Sequence, residues 1–227
     1  MALIGLCILV FASYMAGLSN KPVAEAFDKP QANLELRSDR QFRPVGAILI
    51  LAIQSIAGSG NTNPEAYHLF GLAVHITTVL AVFLLAYRLM SSQNSALAVA
   101  LIFALYPRHH EVVFWVAAYT HIIMTAYLLF SFNLYLKWRR VTKTRWLFIS
   151  LILFVLAILG NEAAVVGILL FLMYELFWER DQLKADLKGK VLVLIHLLWP
   201  FVAVVLIYLS LFVIALGGGI KLCHKYD

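Results

Sequence analysis

Long apolar runs separated by short polar segments dominate the pattern along this chain. A helix needs about 20 apolar residues to cross the hydrocarbon core of a bilayer, with some tolerance for tilt. Six runs predict such helices, at residues 2–18, 67–90, 112–136, 146–159, 165–178 and 191–216. Two shorter runs, 44–57 and 96–106, are each compatible with a short span, a tilted span or a re-entrant helix. The pattern therefore predicts an all-α, polytopic membrane helix bundle.

Clusters of basic residues predict the orientation, because cytoplasmic loops of membrane proteins carry an excess of lysine and arginine. Two such clusters lie at 137–145 and 180–190, at either end of a predicted hairpin that turns near 160–162. When 96–106 is counted as a span, the chain starts inside and crosses about seven times. The segment 44–57 then lies in or dips into the outer face.

Composition supports a membrane protein. Of the 227 residues, 63% are hydrophobic and 13% are charged, whereas soluble domains are nearer half apolar and a quarter charged. The two cysteines are too few and too poorly placed to indicate a structural disulfide. We expect one transmembrane domain, 1–227, with three parts: an external loop carrying a membrane-surface helix (19–63), a helical bundle (64–216) and a tail (217–227).

The remaining ionisable side chains gather at the predicted external ends of the helices. They are Glu25, Asp28, Asp39, Arg43, His68, Arg108, His109, His110, Glu111, His121 and Glu162. Ionisable groups within or beside membrane spans are costly, so a cluster of them indicates a functional site. The sequence contains no nucleic-acid-binding motif, and its net charge of +6 is concentrated at the predicted cytoplasmic ends. No nucleic-acid partner is expected.

These groups also have structural interpretations. Residues 108–111 follow a helix-stopping Tyr-Pro pair, so they form either a solvated turn or an anion site where an arginine and two histidines face a phosphate. Glu162 begins a new apolar run, where an acid favours the positive end of a helix. His75 lies well inside an apolar run, where interhelical hydrogen bonding is its commonest role. From spacing alone, Asp28 is better explained as a solvated acid of the first loop.

Four motifs follow one another in a set order along most of the chain. They are Arg-Pro at 43–44, Asn-Pro-Glu-Ala-Tyr-His-Leu at 63–69, Phe-Ala-Leu-Tyr-Pro-Arg-His-His-Glu-Val-Val-Phe-Trp at 103–115, and Gly-Asn-Glu-Ala-Ala-Val-Val at 160–166. This order and spacing resembles the membrane part of the transmembrane-and-tetratricopeptide-repeat proteins and their bacterial relatives. Those belong with the protein O-mannosyltransferase-like glycosyltransferases of the GT-C fold. The resemblance covers residues 42–178.

The resemblance implies a multi-pass enzyme, expected in a bacterial inner membrane, that transfers a sugar from a polyprenyl-phosphate donor to a protein or lipid acceptor. Its active site would lie among membrane lipids at the external face, with Asp28 as the general base. The donor phosphate would be bound by Arg43, Arg108 and His109, with support from His68, His110, Glu111 and Glu162. No cofactor is firmly expected, although the two glutamates are candidates to coordinate a divalent metal. A site made of the adjacent residues 109–111 is disfavoured, because neighbouring side chains rarely point to one ion.

Several positions depart from the family pattern. One acid, Asp28, stands where the family has a pair, and other polar residues of the pattern are replaced by Gly71, Tyr106, Tyr119, His121 and Asn161. The family also has eleven or more spans. A second interpretation therefore stays open, namely a non-catalytic, truncated or degenerate membrane protein of the same fold that binds lipid or partner helices. A third is a small transporter with His75 and Glu162 in a polar path.

Overall fold

The computed structural model describes residues 2–18, 42–58, 63–177 and 187–215. Across these residues the chain is helical and contains no strand, which confirms the all-α prediction. The α-helices are α1 (Ala2–Tyr14), α2 (Pro44–Ala57), α3 (Pro64–Met90), α4 (Gln93–Ala104), α5 (His109–Phe114), α6 (Tyr119–Val141), α7 (Thr144–Gly160), α8 (Ile168–Phe177) and α9 (Leu187–Ala215). Short 3-10 helices cover Met15–Gly17, Val116–Ala118 and Glu162–Gly167.

Local sequence signals set the helix boundaries. Asn63 caps α3, because its side-chain oxygen accepts a hydrogen bond from the backbone of Ala66 and a proline occupies the first helical position. The Ser92 hydroxyl accepts from the backbone of Ser95 and caps α4 in the same way. Ser91, in the left-handed conformation, ends α3 immediately before this cap, so the turn between α3 and α4 is two residues long and the helices form an antiparallel pair.

Charged and polar residues lie at two opposite ends of the bundle. At one end, Arg140 at the foot of α6 donates a hydrogen bond to the carbonyl of Arg88 at the foot of α3. At the other end, Arg43 pairs with Glu162 beyond the last turn of α7. We call these the basic end and the polar end. The basic end carries Arg88, Arg139 and Arg140, and the polar end carries Arg43, Arg108, His110, His121 and Glu162. This separation agrees with the charge pattern of the sequence, while the side of the membrane stays a prediction.

Fewer of the described helices than expected are long and apolar enough to be candidate membrane spans. In the described part of the chain, two helices are long and apolar enough to cross a membrane by length and composition, Pro64–Met90 and Val191–Ile214. Four further apolar helices are shorter, namely Ala2–Tyr14, Pro44–Ala57, Gln93–Ala104 and Thr144–Gly160. The seven-span bundle is therefore not confirmed, although α1, α3, α4, α6, α7, α8 and α9 alternate in direction between the two ends.

The run 112–136, predicted as one helix, is broken at Trp115. The backbone of Trp115 is extended, with ψ 105°, and it separates α5 from α6. The contacts on either side explain the break. Val113 packs so closely against α3 that a Cβ at Gly71 would overlap its carbonyl oxygen. The Tyr119 hydroxyl donates to the carbonyl of Tyr67 at 2.6 Å. Tertiary packing thus overrides the continuous apolar pattern.

Helix α2 lies across the polar end. Its first turn is held by Arg43, which contacts Thr120 and Glu162, and Gly46 packs against the Thr120 side chain. Its last residue is followed by Gly58, whose carbonyl accepts a hydrogen bond from the Tyr67 hydroxyl. Since both ends of α2 meet the polar end, the helix does not run through the bundle. This is the geometry expected for a helix at one face, and its placement at a membrane surface stays a prediction.

Polar side chains inside the bundle are paired. The Ser131 and Ser150 hydroxyls each donate to the other residue's backbone carbonyl at 2.7 Å, which joins α6 to α7. Near the basic end, the carboxylate of Glu175 is 1% exposed. It accepts hydrogen bonds from the Tyr135 hydroxyl at 2.6 Å and from the Arg139 guanidinium at 2.8 and 3.0 Å. These contacts fix α8 against α6, because a buried charge is tolerated only when it is paired.

Gly71→Ala should destabilise the fold by about 1–3 kcal/mol, because the added methyl group meets a backbone oxygen that cannot move away. Thermal unfolding in detergent measures the effect. Gly5→Ala is the matched control, since an added Cβ there has no heavy atom within 4 Å. Equal melting temperatures for the two variants would contradict the close approach of α3 and α5.

Glu175→Ala should cost about 3–5 kcal/mol of unfolding free energy, because it removes the buried acceptor of the Arg139 guanidinium. Glu65→Ala replaces an exposed acid in the first turn of α3, and it should cost no more than about 1 kcal/mol. Chemical unfolding of both variants tests this ranking. Similar losses of unfolding free energy in the two variants would show that the buried contacts of Glu175 do not stabilise the fold.

Candidate functional site

The centre of the polar end is a two-pronged ion pair between Arg43 and Glu162. The guanidinium donates from Nε to one carboxylate oxygen at 3.0 Å and from Nη2 to the other at 2.7 Å. Its Nη1 lies 3.4 Å from the Thr120 hydroxyl, at the start of α6. The Arg43 side chain is 12% exposed and that of Glu162 is 45% exposed. Arg43 is therefore the anchored partner, and the carboxylate is the one that faces outwards.

The electrostatic surroundings keep Glu162 ionised. The hydrogen bonds from Arg43 hold its pKa below the usual range, against the opposing effect of partial burial. The electrostatic effect of nearby His121 lowers the pKa of Glu162 further. Asn161, with its side-chain oxygen accepting from the backbone of Ala163, fixes the start of the 3-10 helix that carries this glutamate. The polar end thus presents an anchored cation paired with a partly exposed carboxylate.

Beside this pair is a pocket of about 280 Å³. It is lined by Arg108, Glu111, Val112, Trp115, Ala118 and His121. His121 connects the pocket to the ion pair, because it follows Thr120 on α6 and acts electrostatically on Glu162. The structure therefore brings four residues predicted for the site, Arg43, Arg108, Glu111 and Glu162, to one continuous surface around His121.

The histidines of α5 turn towards the bundle and do not line this pocket. His110 stacks on Tyr14 at the top of α1, with ring centroids 4.2 Å apart. The His109 ring lies 5.2 Å from that of His75. The Tyr14 hydroxyl donates to the carbonyl of Ala104 at 3.1 Å, and His75 contacts the same carbonyl at 3.3 Å. Together these rings pack α1, α3, α4 and α5 against one another.

Burial lowers the pKa of His109, and its contact with the carbonyl of Phe103 offsets this in part. That carbonyl lies 2.7 Å from Nδ1, so Nδ1 carries the proton and Nε2 is the acceptor of the neutral ring. A neutral imidazole lacks the charge that a phosphate attracts. The role of His109 in binding the donor phosphate stays a prediction.

Of the other two predicted residues, His68 lies apart from the pocket. His68 is buried at the start of α3, with its ring edge-on to Phe114. Asp28, the predicted general base, lies outside the described residues. Within the described ranges, no three His, Cys, Asp or Glu side chains come together as a metal site. Metal coordination by Glu111 and Glu162 therefore stays a prediction.

Two residues of this surface were not assigned to the site from the sequence. His121 was one of several polar residues at helix ends, and Trp115 was indistinguishable from the aromatic residues that line membrane interfaces. Both assignments depend on the break after α5, which the apolar pattern concealed. Trp115 and His121 are six residues apart, and only the break between α5 and α6 shows that they line the same pocket.

Two curated proteins resemble the chain over most of its length. Protein O-mannosyl-transferase Tmtc1 of Drosophila melanogaster is 29% identical over 173 residues, which are 71% of this chain and 19% of that protein. Protein O-mannosyl-transferase TMTC3 of Mus musculus is 25% identical over 180 residues, which are 75% of this chain and 20% of that protein. The chain is similar to protein O-mannosyl-transferases.

That similarity is distant. It supports the family resemblance that the sequence motifs indicate, and nothing finer than the family. The chain spans about a fifth of the length of the curated relatives it matches. No family model and no solved structure matches it.

Glu162→Gln should make stability less sensitive to acid. Because Arg43 lowers the pKa of Glu162 in the folded state, the ion pair stabilises the protein above the unfolded-state value of about 4.3. That contribution is lost as the pH falls through the lower, folded-state value. Since the carboxylate is partly exposed, we expect wild type to lose up to about 1 kcal/mol more than the variant between about pH 7 and about pH 3.

Thermal unfolding at several pH values measures this difference. Glu65→Gln, an exposed acid at the start of α3, is the control. Parallel pH profiles for wild type and Glu162→Gln would mean that the ion pair contributes nothing in solution.

Proposed function

We propose that this chain is a membrane glycosyltransferase-like protein that transfers a sugar from a polyprenyl-phosphate donor at the external membrane face. One observation carries the proposal: Arg43 contacts Thr120 of α6, one helical turn from an apolar groove between α3 and α6. A lipid phosphate has the same division, with an anionic head and a hydrocarbon tail.

The groove has a volume of about 290 Å³ and runs between α3 and α6 beneath α2. It is lined by Leu49, Phe70, Ala73, Val74, Thr77, Ile123, Ala126, Tyr127 and Phe130. Ile123 lies one helical turn from Thr120, the residue that Arg43 contacts. A phosphate bound at Arg43 would therefore have its tail directed into a space that is almost wholly apolar.

The polar end supplies the chemistry that such a transfer needs. An acceptor hydroxyl attacks the anomeric carbon of the sugar, the bond from that carbon to the phosphate oxygen breaks, and the phosphate leaves with the electron pair. Arg43, supported by Arg108, stabilises the growing negative charge on the phosphate. Asp28 removes the proton from the acceptor hydroxyl, a contribution typically of a hundredfold or more. His68, His110, Glu111 and Glu162 support the phosphate-binding residues.

A second candidate is a non-catalytic lipid-binding protein of the same fold. Two of the positions that depart from the family pattern have structural roles here. Tyr119 is buried and donates to the carbonyl of Tyr67, and Asn161 caps the 3-10 helix that begins at Glu162. Neither supplies the positive charge that the pattern has there. Binding of polyprenyl phosphate without transfer would favour this candidate.

Arg43→Gln should weaken binding of polyprenyl phosphate by about tenfold to a hundredfold, the range for losing a charge-assisted hydrogen bond. Titration of the purified protein in nanodiscs with the labelled lipid measures this. Arg145→Gln, which removes an exposed charge at the basic end, is the control. The double variant Arg43→Gln with Glu162→Gln shows whether an unpaired Glu162 causes the loss. Wild-type affinity in both variants would refute Arg43 as the phosphate ligand.

The transfer itself is tested by following sugar incorporation from polyprenyl-phosphate mannose into membrane lipids and peptides. Asp28→Ala should abolish incorporation while leaving lipid binding intact. Unchanged incorporation would remove Asp28 from the mechanism. Binding without incorporation in wild type would select the non-catalytic candidate.

A further inference from the structure

We infer that the pocket formed by Arg108, Glu111, Trp115 and His121 binds the sugar ring of the lipid-linked donor, with Trp115 as its stacking surface. This inference rests on the proposed function, because it places the sugar beside the phosphate at Arg43. It adds Trp115 and His121 to the site and gives the pocket a substrate class, a neutral hexose.

The chemistry of the lining fits a sugar. A hexose has a face of C–H bonds surrounded by hydroxyl groups that both donate and accept hydrogen bonds. The indole face of Trp115, which is 46% exposed, carries the negative part of the ring quadrupole and attracts such C–H bonds. Arg108 provides donors and Glu111 provides acceptors in the same pocket.

A comparison within the chain separates this tryptophan from one that faces lipid. Trp199 on α9 is 57% exposed, and its groove of about 450 Å³ has an entirely apolar lining. The Trp115 pocket instead contains three ionisable side chains. An exposed indole among charged groups is out of place in hydrocarbon, whereas it suits a polar ligand with one apolar face.

The charges of the pocket also distinguish a sugar from a second phosphate. Arg108 attracts an anion, but the carboxylate of Glu111 lies in the same lining and repels one. A neutral ring uses both kinds of group without a charge penalty. Arg43 lies outside this lining, so the strongest anion ligand of the polar end is kept for the phosphate.

The backbone places this pocket next to the phosphate position. Thr120 contacts Arg43, and the following residue, His121, lines the pocket. Consecutive helical residues point about 100° apart, so one turn of α6 faces both subsites. The sugar of a glycosyl phosphate is joined to phosphorus through a single oxygen. A donor with its phosphate at Arg43 therefore has its sugar within reach of the pocket.

The backbone that carries Trp115 is held in place by hydrogen bonds on both sides. The Trp115 backbone N–H donates to the carbonyl of Glu111 at 2.9 Å, and its carbonyl accepts from Ala118 at 2.9 Å. These bonds fix the position of the tryptophan backbone in the break between α5 and α6. A fixed backbone reduces the conformational freedom that is lost on binding.

The test compares two lipids of equal charge in nanodiscs: polyprenyl-phosphate mannose and the methyl ester of polyprenyl phosphate, here called the bare phosphate. Wild type should bind the mannosylated lipid about tenfold more tightly than the bare phosphate, the gain expected from one stacked ring. Trp115→Leu should remove this gain while leaving affinity for the bare phosphate unchanged. Trp115→Phe should retain part of it. Trp199→Leu, a change of the same kind on the lipid-facing groove, should retain all of it.

Each outcome has one meaning. A full sugar gain in Trp115→Leu overturns the inference, and so does the absence of any gain in a wild-type protein that still binds the bare phosphate. Failure of wild type to bind either lipid overturns the proposed function itself. Unchanged thermal unfolding and unchanged bare-phosphate affinity show that Trp115→Leu is folded, so loss of the sugar gain is then specific.

Discussion

One constraint shapes this structure: a polar side chain removed from water has to find a partner. With 63% of its residues hydrophobic, the chain has few polar groups. In the described part of the chain, several of the buried ones pair with each other. Ser131 and Ser150 satisfy each other, and Glu175 is held by Arg139 and Tyr135. The alternating helix directions follow, because every turn has to bring its charges to the basic or the polar end.

Helix α6 carries residues of the candidate site as well as residues of the buried polar pairs. Its first turn carries Thr120 and His121, its middle carries Ser131, and its last turns carry the residues that hold Glu175. The same helix therefore anchors the ion pair, forms one wall of the apolar groove and joins α7 and α8 to the bundle. Where α2 crosses this helix, the Arg43 guanidinium contacts Thr120, one helical turn from the apolar groove. The candidate site therefore results from the packing of α2 across the polar end, where Arg43 contacts Thr120 and Glu162.

Much of the fold was predictable because it rests on local signals. The caps at Asn63 and Ser92 and the apolar runs between charged clusters are readable from neighbouring residues alone. The break at Trp115 was not, since the contacts of Val113 with Gly71 and of Tyr119 with α3 that cause it involve residues more than 40 positions away. The same break hid the tryptophan pocket, because an apolar run predicts that such a ring faces lipid.

The sequence by itself determined the helical class, the two charged ends and the set of polar residues available for chemistry. These depend on composition and on spacing along the chain. Only the tertiary structure decided that Arg43 and Glu162, 119 residues apart, form a pair, that α2 crosses the polar end, and that Trp115 and His121 share a pocket. Those arrangements depend on which helices pack together. Apolar side chains on a helix surface can pack against many different partners, so the sequence alone does not identify the neighbouring helix.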